Sequence, residues 1–247
     1  MKKLFGFTLA EVLVTMGIVG VVAAMTTPVL VTNVRRQGYA TTLRATVTDI
    51  ENAFSSAIVS EQADDLYGTQ LWANAPITAN SSAANKQDFI THIREIMKIN
   101  GTDDNNNGVT YYTSRGLHSH GLTANGGSNN VAIDRIENNY MPINLKNGAV
   151  MFIRTFNAAA GGEINAADIF IDVNGAAAPN TVGRDLHPFY LASNGSLLPC
   201  GGQELADAGE MASWRNTCTN GNLGNNGNWW GVTCTGRLVE NGYVFDY

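Results

Sequence analysis

One carboxylate stands where a charge is least expected. Glu11 lies at the head of an apolar run, and no charged residue follows it between Val12 and Val34. An ionised carboxylate in hydrocarbon costs at least ~2–3 kcal/mol on insertion scales, so such a residue marks a functional position with a partner. Other groupings carry atoms of ligating type. Asp103-Asp104-Asn105-Asn106-Asn107-Gly108 opens like a calcium loop. The position where its bidentate carboxylate belongs is Ser114, so a polar turn is the preferred reading. Asp172, Asn174 and Asp185 form a candidate Ca2+ set; the favoured alternative has these side chains bonding local backbone amides, since Arg184 already brings a positive charge. His118 and His120 lack the cysteine or acidic company of a zinc site and read as exposed, while His92 and His187 read as packing or surface residues. No Ser/His/Asp motif in recognisable context and no phosphate loop is present, so neither catalysis nor a resident cofactor is expected.

The elements around these residues follow from polarity. Hydrophobic residues at 44% exclude a disordered chain, and a net charge of −6 excludes one built mainly to grip nucleic acid. The uncharged run Val12 to Val34 would make a helix about 35 Å long, enough to cross a bilayer core. Lys2 and Lys3 precede it on the side expected to stay cytoplasmic, an argument weakened by Arg35 and Arg36 after it. Two ordinary readings are a simple anchor and a cleaved signal ending at Val22-Ala23-Ala24. Neither explains Glu11.

Met1-Lys2-Lys3-Leu4-Phe5-Gly6-Phe7-Thr8-Leu9-Ala10-Glu11 resembles the cleavage and methylation motif of type IV prepilins and type II secretion pseudopilins. The resemblance implies cutting between Gly6 and Phe7 by a prepilin peptidase, N-methylation of Phe7, and retention of the apolar segment. It implies that Glu11 pairs with the new amine of a neighbouring subunit, which sets axial register because an unpaired buried charge is penalised. The intrahelical alternative is a Phe7–Glu11 contact, four residues apart. Pro28 matches a helix-kinking proline of these proteins. The implied partners are other pilin or pseudopilin subunits, the peptidase/methyltransferase and an inner-membrane assembly platform. The implied location is the inner membrane, then a periplasmic pseudopilus or a surface pilus.

Beyond Arg36, Tyr39, Leu43, Val47, Ile50, Phe54 and Ile58 recur at helical spacing, giving one helix from about Thr8 to Glu61. A second helix is expected over Lys86 to Ile99, closed at Asn100-Gly101. Strands are expected at 109–112, 142–145, 149–156, 168–173, 189–192 and 196–198, with hairpins at Lys146-Asn147-Gly148 and Asn194-Gly195. Strands linked this closely pair as neighbours, so the fold class is α+β and pilin-like: a long helix on an antiparallel sheet. The stretch from Cys200 to Tyr247 reads as loop-rich, with a strand-like 242–245. The organisation is therefore a leader at 1–6, a filament-core helix at 7–34, its amphipathic continuation at 35–61, and a globular domain at 62–247.

The resemblance further implies a disulfide behind the sheet. Cys200, Cys218 and Cys234 allow three bridges; Cys218–Cys234 is favoured because it closes a short Asn/Gly-rich loop. Trp229-Trp230 reads equally as a binding loop or as core for this region. The expected function is a structural pilin or pseudopilin, with the length fitting a minor or specialised subunit. The alternative is a secreted or anchored adhesin using the tryptophan loop.

Overall fold

The computed structural model describes residues 8–78, 80–97, 99–101, 140–175, 177, 182–210, 213–218 and 231–247, with 99–101, 216 and 217 described by backbone alone. Helix α1 runs Leu9–Glu61 and passes through Pro28. The chain divides into two compact units between Gly38 and Tyr39.

In the first unit every described apolar side chain of the helix faces outward, from Leu9 to Val34. Its hydroxyls are satisfied within the helix: Thr15, Thr26, Thr27 and Thr32 donate to the carbonyls of Val12, Val22, Ala23 and Pro28 at 2.7–3.0 Å. Back-bonding of this kind lets threonine sit in an apolar environment without an unpaired donor. Among the described residues, one helix is long and apolar enough to cross a membrane.

In the second unit the helix becomes one-sided. Leu43, Val47, Ile50, Ala53 and Phe54 are buried, with Tyr39 and Ile58 packed at the margin. Their partner is a six-stranded antiparallel sheet in simple sequence order. Its strands are β1 (Ile99–Gly101), β2 (Met141–Leu145), β3 (Val150–Thr155), β4 (Ala167–Asp172), β5 (Leu186–Leu191) and β6 (Leu197–Pro199). Alternation sends Met141, Ile143, Met151, Ile153, Ile169, Ile171, Phe189 and Leu191 into the cluster beneath the helix. Two turns tie the sheet to α1. Asn147 accepts from Ala149 N–H to shape the β2–β3 turn and donates to Thr46 Oγ1 at 2.7 Å. Gly195, at φ +89°, sits so close to α1 that a Cβ would lie 3.1–3.3 Å from Ser55 and Phe54, a tight fit in a backbone conformation that favours glycine.

Three expectations are corrected. Helix α2 spans Ala83–Ile96, starting three residues earlier because the Ser82 hydroxyl caps Asn85 N–H at 3.2 Å. It ends before Ile99, since Met97 is extended and residues 99–101 pair with β2 instead of closing the helix. The C-terminal region is helical where loop was expected. After α3 (Ala158–Gly161) come α4 (Gln203–Asp207), α5 (Trp214–Thr217) and α6 (Cys234–Glu240). Residues 242–245 form no strand: Gly242 and Tyr243 take positive φ and turn the chain back, with Tyr243 N–H donating to Leu238 O at 2.7 Å. The expected strand at 109–112 lies outside the described residues.

This C-terminal segment explains why β4 is buried at every position, unlike a one-faced antiparallel strand. Val150, Phe152, Phe170 and Leu186 form a second cluster with Tyr140, Val182, Cys200 and Val232 on the face away from α1. Helix α6 approaches so closely that a Cβ on Gly236 would collide with the backbone of Gly201 and Gly202. Gly236 N–H donates to Cys200 O at 2.8 Å there.

Candidate functional site

The N-terminal site is built by a helix start. Thr8 is the residue before the first helical turn, and its backbone N–H and hydroxyl both donate to Glu11 Oε2 at 2.8 Å. Glu11 N–H in turn donates to Thr8 Oγ1 at 3.3 Å. This is a capping box, in which threonine and a glutamate three residues on satisfy each other's donors. The Thr-x-x-Glu spacing was legible in the sequence as such a box and was overlooked beside the alternative of a Phe7–Glu11 contact. Gly6 and Phe7 lie outside the described residues. Both Thr8 donors fall on one carboxylate oxygen, Oε2. Among the described residues, no charged side chain stands within a helical turn of Glu11, whose polar neighbours are Thr8 and Thr15.

Two side chains of the candidate cation set, Asp172 and Asn174, bond backbone groups nearby. Asp172, at the end of β4, accepts from Asn174 N–H at 3.2 Å, and Asn174 Nδ2 donates to Ala177 O at 2.9 Å and Tyr39 Oη at 3.3 Å. Asp185 is fully buried in the turn before β5, and its carbonyl accepts from Val173 N–H at 2.8 Å. The bonds to Asn174 N–H and Ala177 O are local Asx bonds, while the bond to Tyr39 reaches α1. Among the described residues no group of three or more His, Cys, Asp or Glu side chains is arranged to hold a metal ion. The 103–108 loop with Ser114, the His118/His120 pair and Trp229-Trp230 lie outside the described residues.

Cys218 and Cys234 are joined in a disulfide, and Cys200 is a buried thiol. The bridge lies beside a polar clasp that sequence reasoning missed. Arg237 donates from Nε and Nη2 to the two carboxylate oxygens of Asp246 at 2.8 and 2.9 Å, and from Nη1 to Cys218 O at 2.8 Å. Its guanidinium lies between the rings of Trp214 and Tyr247, at 5.5 and 5.4 Å. Hydrogen bonds from Arg237 hold the Asp246 carboxyl below its usual range. A second network, on the outer face of the sheet, joins Asp168 to Arg154, to Tyr140 Oη at 3.0 Å and to Asn165 Nδ2 at 3.0 Å. Burial pushes the Tyr140 hydroxyl up, out of reach of acid–base work near neutrality.

His187 is completely buried and faces Arg184 O at 3.0 Å, Thr235 Oγ1 at 3.5 Å and the Phe245 ring at 6.3 Å. Burial lowers it from 6.5 to about 4. Below pH 6.5 the unfolded chain therefore binds a proton that the folded chain refuses, and stability falls until about pH 4. The full loss is about 3 kcal/mol. Asp246 acts in the same sense at lower pH, its contribution being present above its ordinary range and lost as pH drops through its depressed value. Urea unfolding of the full chain in detergent should show a midpoint that declines between pH 6.5 and 4, and His187→Gln should flatten that decline. A pH-independent midpoint in the wild type would contradict it.

The class defined by this geometry is an α+β protein of pilin-like layout, with a long N-terminal helix and an antiparallel sheet. Residues 1–27 match the family described as the prokaryotic N-terminal methylation motif, the signature of type IV prepilins and pseudopilins. The match is confined to this N-terminal segment, which supports a pilin- or pseudopilin-type substrate of prepilin peptidase. No curated protein and no solved structure matches the chain.

Proposed function

We propose that this chain is a structural subunit of a type IV pilus or a type II secretion pseudopilus. The observation that supports this reading is the methylation motif leading into a helix whose first half, after Glu11, carries no charge as far as Val34. Prepilin peptidase cuts between Gly6 and Phe7 and methylates the new amine. Residues 7–34 span the inner membrane and later form the filament core, 35–61 continue the helix, and 62–247 lie outside the cytoplasm.

The freed Phe7 amine is protonated near neutral pH. In the filament it meets Glu11 of a neighbouring subunit. Thr8 holds Oε2, so Oε1 accepts the neighbour's ammonium without opening the cap. The carboxylate thus stays partnered before and after extraction from the membrane. Pro28 is the weak point of the helix, because it offers no N–H to the carbonyl of Ala24. The other participants are further pilin or pseudopilin subunits and an inner-membrane assembly platform.

Mass spectrometry of the chain purified from membranes tests the reading: the expected first residue is N-methylated Phe7. A product beginning at Met25 would replace it with an ordinary secretory signal. Deletion of the gene then separates the two destinations, through loss of surface fibres or loss of exoprotein release.

A further inference from the structure

Three cysteines and one bridge raise the question of what chooses the pair. Chain length does not. Cys218–Cys234 closes a separation of 16 residues, and Cys200–Cys218 would close 18. Loop-closure entropy separates these two by only about 1.2-fold, and the 34-residue Cys200–Cys234 loop by only about threefold. The preference therefore comes from the folded surroundings.

Those surroundings treat the three residues differently. Cys200 is pinned at both backbone groups, donating to Pro188 O at 3.2 Å and accepting from Gly236 N–H at 2.8 Å. Its thiol is sealed among Phe152, Phe170 and Leu186 on the outer face of the sheet, where burial also raises its pKa. Cys218 is held from α6. Arg237 stands three residues after Cys234, on the same helical face, and its Nη1 grips Cys218 O. The same guanidinium is locked by Asp246 and packed against Trp214, whose carbonyl accepts Cys218 N–H at 2.7 Å.

We propose that the Arg237–Asp246 clasp selects the Cys218–Cys234 bridge, presenting Cys218 to Cys234 on one face of α6 while the sheet sequesters Cys200. Arg237 is a positioning residue: it touches neither sulfur, and acts by placing the backbone that carries one of them. The oxidation is a two-step exchange with a small-molecule disulfide such as oxidised glutathione. The thiolate of one cysteine attacks the oxidant and expels a glutathione thiolate. The second cysteine then displaces the other glutathione, so the chain loses two protons and two electrons and the oxidant becomes two thiols.

The test equilibrates the full chain in detergent with a glutathione redox buffer, alkylates remaining thiols and maps linked peptides. Folded wild type should give Cys218–Cys234 alone, with Cys200 alkylated only after denaturation. In denaturant the same chain should give Cys218–Cys234 and Cys200–Cys218 within about twofold of each other. Arg237→Met should raise pairs containing Cys200 by about tenfold or more, the effect of losing a charge-assisted hydrogen bond. Ile153→Ala, which destabilises the core beneath α1 without touching the clasp, should keep the native pair below its unfolding midpoint. The proposal is overturned if the denatured chain already forms only Cys218–Cys234. It is equally overturned if Arg237→Met pairs as wild type, or if Ile153→Ala shuffles as much as Arg237→Met does. If Arg237→Met fails to fold, Asp246→Asn, which loosens the clasp while the guanidinium keeps its place on Trp214, replaces it with the same expected and overturning outcomes.

Discussion

Replacing Glu11 by valine is expected to leave the chain inserted in the membrane and to abolish filaments. Insertion becomes easier, because a residue that costs about 2.5–3.5 kcal/mol at a helix centre gives way to a favourable one. What is lost is the partner for a neighbour's ammonium. Removing one member of a buried ion pair costs about 3–5 kcal/mol, largely because the other charge stays behind unpaired. That loss weakens each subunit contact by about two to four orders of magnitude. The cap also loses both Thr8 bonds at 2.8 Å, an additional and smaller effect. Membrane fractionation should find the variant at wild-type levels, and electron microscopy of sheared material should find no fibres. Fibres of normal number and length from Glu11→Val would remove the proposed pairing.

Phe54→Ala should produce the largest loss of folding stability outside the N-terminal segment. The ring is fully buried beneath α1 and meets Trp72 edge-on at 5.9 Å, which in turn meets Phe89 at 6.3 Å. Truncating a buried phenylalanine costs about 3–5 kcal/mol, through lost transfer free energy and the cavity left behind. For a domain of this size the thermal midpoint should fall by about 6–20 °C. Val59→Ala, on the same helix but 76% exposed, should stay within about 0.5 kcal/mol of wild type. Thermal unfolding of both variants in detergent checks this. Equal midpoints would mean that the helix is not seated on the sheet through Phe54.

The contrast between these two residues and the C-terminal clasp shows which features were legible in the chain. Glu11 announces itself by being the wrong polarity for its neighbours, and Phe54 by its place in a 3.6-residue rhythm; both are one-dimensional signals. The β2–β3 hairpin was legible too, because Asn147-Gly148 carries its own turn chemistry, with Gly148 at φ +89°. Helix α6 was not. Cys234–Glu240 has seven residues, too few to be helical on their own, and it forms because Gly236 lets its backbone lie against Gly201 and Gly202. The strand-like 242–245 was misread for the converse reason: β-prone residues form a strand only beside a free edge, and here the chain turns at Gly242 and Tyr243 to pack Phe245 inward.

From its residues alone the protein declared an N-terminal processing and methylation motif, one long helix with a lipid-compatible half and an amphipathic half, and an antiparallel meander. Each of these is encoded within a few turns or a single hairpin, where neighbours in space are neighbours in sequence. The covering of the sheet's outer face, the burial of His187 and Cys200, and the Arg237 clasp on Cys218 were decided only in three dimensions. They join residues tens of positions apart. Such contacts depend on how the whole chain excludes water, and no local pattern reports which distant surface will arrive.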